Sequence, residues 1–239
     1  MVGTEPHASG GGASNIVVVS GTDTEIGKTM VACGLVRRLA DGGLDVRAVK
    51  PVESGVDLLA PAERDGVQLA RAARQSEPGR ALDELSRPLA PPEAAEIDEV
   101  ELSTKPWRRC IEAEAAEADL VVVEGAGGLL SPLTWRATAR SLASQLGAGV
   151  LVVAPDTLGV LNHTLLTLEA LEAADVPLVG VVFSRSEPRD ESTDKNPRTL
   201  RRFSDCRAIS TLPRVDDWRE AAGHLNEPAD WIRSFLEST

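Results

Sequence analysis

Lysine is scarce in this chain: Lys28, Lys50, Lys105 and Lys195 are all that 239 residues contain, and the remaining basic side chains are arginines. Asp and Glu number 37 and the formal net charge is −12, so no broad basic surface for nucleic acid or an anionic membrane is encoded. Any anion site must be locally positive. Cysteine is equally thin. Cys33, Cys110 and Cys206 lie far apart without metal-ligand spacing, and their odd number argues against a disulfide framework and fits a reducing cytoplasm. No apolar run approaches a membrane span, and Ile16 to Val19 is too short for a signal-peptide core. A cytoplasmic protein with no nucleic-acid and no membrane partner is expected. The length suits one domain over residues 15–239, with MVGTEPHASGGGAS at 1–14 read as a flexible leader.

What is present is concentrated first in NIVVVSGTDTEIGKT, residues 15–29. Ile16 to Val19 is a β-branched run without a polar break, as in a strand buried on both faces of a parallel sheet. From Lys28 the apolar period changes, with Val31, Leu35, Val36 and Leu39 at helical spacing. The glycine-bounded loop between them therefore opens a helix. Free N–H groups and the positive end of the helix dipole favour a phosphate there, Lys28 reaches its outer oxygens, and the Thr29 hydroxyl suits Mg²⁺. The pattern is one residue off the common P-loop spelling, since Thr22 stands where glycine is usual and the loop runs from Gly21. A glycine-rich turn with a chance GKT is the plainer alternative.

Further along, Leu44 to Val49 reads as a second strand ending in Lys50-Pro51-Val52-Glu53-Ser54-Gly55, and Leu120 to Val123 as a third ending in Glu124. Strand C-termini in open α/β sheets face the ligand crevice, and an acid after a buried strand is where a P-loop protein keeps its Mg²⁺-side carboxylate. Residues 56–118 are polar and Ala-rich, with helical patterns near Gly66 to Arg74 and Trp107 to Ala118 and a break at prolines 88, 91 and 92. The pattern then predicts helix 137–146, strand 150–154, helix 161–173, strand 176–183, a charged loop at 184–198, a short strand near 208–209 and a helix over 229–237. Alternating β and α units imply an α/β, P-loop NTPase-like fold: a mainly parallel sheet with helices on both faces. Trp107, Trp135, Trp218 and Trp231 read as core fillers, not base-stacking platforms.

GTDTEIGKT, VKPVESG, VEGAGGLLSPL and LGVLNHTLLTLEAL occur in the order and at roughly the separations of dethiobiotin synthetase, which this chain resembles from Ile16 to about Val182. That family carboxylates 7,8-diaminononanoate with CO₂ and uses ATP to close the ureido ring of dethiobiotin. The resemblance implies a homodimer in which Lys28 and Lys50 are catalytic cations. Thr24, Glu25, Ile26, Gly27, Lys28, Thr29 and Met30 would wrap the triphosphate, and Thr29, Asp65 and Glu124 would hold Mg²⁺. Ser54 and Lys50 would meet the amine or carbamate end of the substrate, with Gly125, Ala126 and Gly127 lining the site. Gly159, Val160, Leu161 and Asn162 would hold the substrate carboxylate across the dimer. Ser184, Arg185, Pro213, Arg214, Val215 and Glu220 would surround the base. Three departures stand out: Ala90-Pro91-Pro92 where Ser-Pro-His is common, Ser141 for an Asp, and Ser184 for the asparagine that reads adenine. Asp65 could also be a solvated surface acid, Ser54 a turn residue, and His163 a packed histidine without function. The rival class, a partitioning or assembly ATPase, usually carries a second lysine early in the loop, and Thr22-Asp23-Thr24 has none. A nucleotide-binding paralogue without catalysis is a further alternative.

Overall fold

The computed structural model describes residues 14–185 and 189–238. The leader expected over 1–14 lies outside them except for Ser14, whose hydroxyl donates to the Leu146 carbonyl. β1 (Ile16–Gly21) is buried along its whole length and leads through the loop into α1 (Lys28–Asp41). β2 (Val46–Val49) follows, then β3 (Val52–Ser54) beyond Lys50-Pro51, α2 (Asp65–Ala73), β4 (Asp83–Leu85), α3 (Pro91–Ile97) and α4 (Thr104–Glu117). β5 (Leu120–Gly128) comes next, with the small pair β6 (Pro132–Thr134) and β7 (Ala137–Thr138), then α5 (Ala139–Leu146), β8 (Gly149–Pro155) and α6 (Val160–Glu172). β9 (Leu178–Ser184), α7 (Asn196–Phe203), β10 (Ile209–Leu212), α8 (Trp218–His224) and α9 (Asn226–Ser238) complete the chain.

Six strands form one parallel sheet in the order β10-β9-β8-β1-β5-β2. The chain steps outward from β1 on both sides, so the switch point lies at the end of β1, where a ligand crevice is expected. Alternation along β1 sends Ile16 and Val18 into one core with Trp107, Ile111, Leu142 and Leu171, and Val17 and Val19 into another with Leu35, Leu39, Leu69 and Ile232. Both faces are therefore covered by helices, as the unbroken apolar strands require. The edges are also occupied. Gln75 gives the Ala48 amide an acceptor and the Ala48 carbonyl a donor, both at 2.8 Å, along the outer side of β2. On the far edge the Arg201 guanidinium donates to the Ile209 carbonyl of β10.

The structure corrects several readings. Pro91 and Pro92 do not break a helix but start α3, where a fixed φ and a missing N–H are tolerated. The stretch read as a charged loop at 184–198 is pinned from Asp190 onward, and residues 186–188 of it lie outside the described chain. Asn196 Nδ2 and the Asp194 amide each donate to the buried Asp156 carboxylate at 2.8 Å, and α7 begins at Asn196. Trp135 is no core filler: it is 61% exposed and donates its indole N–H to Glu96. Trp107 and Trp218 are buried, and Trp231 packs against the core. Ser141, one of the family departures, sits at N3 of α5 and shares a reciprocal capping box with Thr138. A hydroxyl does the capping there, so no charge is needed.

Candidate active site

The loop after β1 is tied down at both sides. The Thr22 amide donates to the Val153 carbonyl of β8, and the Leu129 amide to the Gly21 carbonyl. Glu25 and Gly27 both take positive φ, 53° and 90°, which turns the backbone into the first turn of α1. At Gly27 a Cβ would be strained by that φ and would lie 2.7 Å from the Ser184 hydroxyl. Gly27→Ala is therefore expected to weaken nucleotide binding by about tenfold or more, a cost in the range of one strained residue. Titration of the variant with a fluorescent ADP analogue checks this, and unchanged affinity would mean that the loop does not shape the phosphate seat.

Lys28 is 7% exposed and its ammonium donates to the Asp23 carbonyl at 2.6 Å, lying back over the loop. Burial is the main cause of a pKa below the ordinary lysine value, partly offset by Glu124. Lys50, at the end of β2, is 4% exposed and donates to Glu124 Oε1 at 2.7 Å and to Asp65 Oδ2 at 2.8 Å. Burial disfavours its charge, but the two carboxylates outweigh that and raise its pKa above the ordinary value. Lys50 is thus a fixed positive charge, not a base. The Thr29 hydroxyl bridges the same acids, at 2.8 Å from Asp65 Oδ1 and 2.9 Å from Glu124 Oε1. Burial pushes the fully enclosed Glu124 carboxyl up despite Lys50. At Asp65, whose side chain is 31% exposed, burial acts the same way but Lys50 prevails and the pKa falls.

Three strand ends and one helix start therefore meet at one point: Thr29 after β1, Lys50 after β2, Glu124 on β5 and Asp65 at the head of α2. Glu124 Oε2 is buried and has no hydrogen-bond partner among the described residues. A donor set of hydroxyl and carboxylate oxygens with one lone pair left over suits a hard divalent cation such as Mg²⁺.

An AAA domain family model matches residues 15–222. The ATP-dependent dethiobiotin synthetase of Anaeromyxobacter dehalogenans strain 2CP-C is 43% identical over 82% of this chain and 88% of that protein. The Aromatoleum aromaticum and Caulobacter vibrioides enzymes of the same name are 38% and 36% identical, covering 82% and 84% of this chain and 89% and 93% of theirs. The chain belongs to the dethiobiotin synthetase family. Solved structures agree on the fold alone. The cell division ATPase MinD of Pyrococcus furiosus superimposes with a TM-score of 0.61 at 18% identity, covering 92% of this chain and 98% of that one. A ParA family ATPase of Chlorobium tepidum gives 0.53 at 14% identity, covering 95% and 100%.

For a dethiobiotin synthetase family member, the expected positions sort as follows. Residues 24–30, Lys50, Asp65 and Glu124 come together, and a Cβ on Gly127 would lie 3.8 Å from Thr24 Cγ2, so the 125–127 segment flanks the loop. The Ser54 hydroxyl is buried without a partner among the described residues, poised for something it does not find in its own chain. Ser184 stands over Gly27, and the Arg185 amide joins the Leu212 carbonyl just before Pro213 to Val215. Arg185 itself pairs with Asp194. Glu220 lies exposed on α8, and its carboxylate makes no hydrogen bond or ion pair among the described residues. Gly159 to Asn162 open α6 with Val160 buried and Asn162 exposed, and no hydrogen bond joins them to the phosphate loop. His163, set aside in the sequence, lines a cavity of about 310 Å³ with Thr22, Asp23, Leu130 and Ser131. Glu53 was missed. Its only signal was an acid inside a short apolar run.

Proposed function

We propose that this chain makes dethiobiotin from 7,8-diaminononanoate, CO₂ and ATP. One substrate amine takes up CO₂, forming an N–C bond and giving its proton to solvent. The carbamate oxygen then attacks the γ-phosphorus while the bond to ADP breaks. The second amine attacks the carbamoyl carbon, phosphate departs with the bonding pair, and the last proton goes to solvent. Phosphoryl transfer asks a protein chiefly for positioning and positive charge around the transferring oxygens. Lys28, reached through α1, and Lys50, fixed by two acids, meet that demand. Thr29, Asp65 and Glu124 would hold Mg²⁺, which when bound supplies further positive charge beside the phosphates. Ser54 would bind the amine or carbamate end, the backbone of 125–127 would line the site, and Ser184, Arg185, Pro213 to Val215 and Glu220 would surround the base.

The single observation carrying this reading is the meeting of Lys50 and Thr29 on the same two carboxylates. Phosphate release from ATP tests it, measured with and without diaminononanoate and bicarbonate. Release is expected only when both are present. A switch ATPase of the partitioning kind would hydrolyse ATP without them, and that result would overturn the proposal.

The same reading makes the chain a homodimer whose α6 N-terminus holds the carboxylate of the partner subunit's substrate. Leu158 and Leu166 are 83% and 56% exposed along this helix and Leu130 is 52% exposed nearby, an apolar face that a second copy would cover. Sedimentation equilibrium showing only monomer at micromolar concentration would remove this part.

A further inference from the structure

Helix α2 begins on Asp65 but receives no side-chain cap from its own N-cap residue, Arg64. Its leading amides are taken instead by Glu53 of β3. Glu53 Oε1 accepts from the Asp65 amide at 2.6 Å and Oε2 from the Gly66 amide at 3.0 Å. Glu53 is 4% exposed, and no salt bridge reaches it among the described residues. The cation that could have served, Arg64, pairs with Glu84 at 3.0 Å, the cross-strand neighbour of Glu53. A buried carboxylate without an ionic partner is costly unless amides and a helix dipole satisfy it, so both oxygens are committed to the start of α2.

Packing holds the same turn from the other side. A Cβ on Gly66 would fall 2.2 Å from the Ala81 amide nitrogen and 2.6 Å from the Arg80 carbonyl carbon, so backbone meets backbone there. The first turn of α2 is thus gripped between β3 and residues 80–81. Asp65 sits on that turn and must present one oxygen to Thr29 and the other to Lys50.

We infer that Glu53 is a positioning residue: by capping α2 it fixes the Asp65 carboxylate against Thr29 and Lys50, and so sets the metal seat without entering it. The inference rests on Asp65 being a Mg²⁺ ligand, as proposed above. Neighbouring residues of β3 then divide the labour, Glu53 anchoring the acid while Ser54 offers its hydroxyl to the substrate. A purely structural acid would affect stability alone, whereas a positioning acid must affect the metal.

The test compares Glu53→Ala, Glu53→Gln and Asp65→Asn in the full chain, with Mn²⁺ as probe in the presence of ADP, followed by the loss of the free-ion spin-resonance signal. Glu53→Ala is expected to weaken Mn²⁺ binding by about tenfold, typical of removing a residue that orients a metal ligand. Asp65→Asn should weaken it more, while metal-free ADP binds all three as it binds wild type. Glu53→Gln keeps the shape and one acceptor, so it should fall between, and it carries the comparison if the alanine variant does not fold. Wild-type Mn²⁺ affinity in the Glu53 variants, beside a lowered melting temperature and a weakened Asp65→Asn, would reduce Glu53 to a structural cap. Wild-type affinity in Asp65→Asn would instead remove the reading of Asp65 on which the inference stands.

Discussion

Alanine at Lys50 is expected to lower turnover by on the order of 10²-fold or more, the usual result of deleting a preorganised charge that acts in the transition state. Lys50 is the one cation held by both acids, at 2.7 and 2.8 Å. Its removal also leaves Glu124, 1% exposed, facing Asp65 with no opposite charge between them. The variant should therefore melt earlier as well as turn over more slowly. Lys28→Ala is expected to lose turnover to a similar degree, but Lys28 donates only to the Asp23 carbonyl, so its loss opens no ion pair and the melting temperature should change little. Steady-state turnover at saturating substrates, paired with thermal melts, separates the two effects. Turnover like that of wild type in either variant would sink the enzyme reading.

The second large effect concerns the base. An asparagine amide reads adenine by donating to one edge atom and accepting from another, and rejects a base with the opposite pattern, whereas Ser184 offers one rotating hydroxyl. The structure adds that this hydroxyl lies close to Gly27, so it borders the phosphate loop as much as any base pocket. Fixed polar readers reach discrimination of about 10⁴-fold and an adaptable hydroxyl does not, so CTP, GTP or UTP is expected to support turnover within roughly 10²-fold of ATP. Comparison of kcat/KM for the four nucleotides decides it. An ATP preference above about 10⁴-fold would assign the reading to other groups, such as the backbone of Pro213 to Val215.

The parts of the site that stand on regular strand ends were legible in the sequence. Ile16 to Val19, Leu44 to Val49 and Leu120 to Val123 each announce a buried strand, and the polar residue following each run, from Gly21, Lys50 and Glu124, falls in the crevice by topology alone. Asp65 was legible only through family resemblance, since a lone acid in a polar stretch has no local signature. Glu53 was invisible because its role depends on a helix start twelve residues away in sequence that packs back onto β3. The same holds for α7 and α8. Asn196-Pro197 and Asp217-Trp218 do carry helix-start chemistry, but each follows a charged stretch whose anchoring, through Asp156 in the first case, is a tertiary event. Prolines misled at α3 because two at a helix start are compatible with it and two inside it are not.

Open parallel sheets end in strands with unmatched amides and carbonyls, an invitation to any extended chain in a crowded solution. Here Gln75 occupies the outer side of β2 as an added strand would, serving both polar groups of Ala48 with its amide. Arg201 engages a carbonyl on β10. The two side chains act as stoppers against edge-to-edge growth. Because β2 delivers Lys50, the stopper on that edge also keeps a foreign strand from levering the lysine away from its two acids, so colloidal behaviour and active-site integrity depend on the same glutamine.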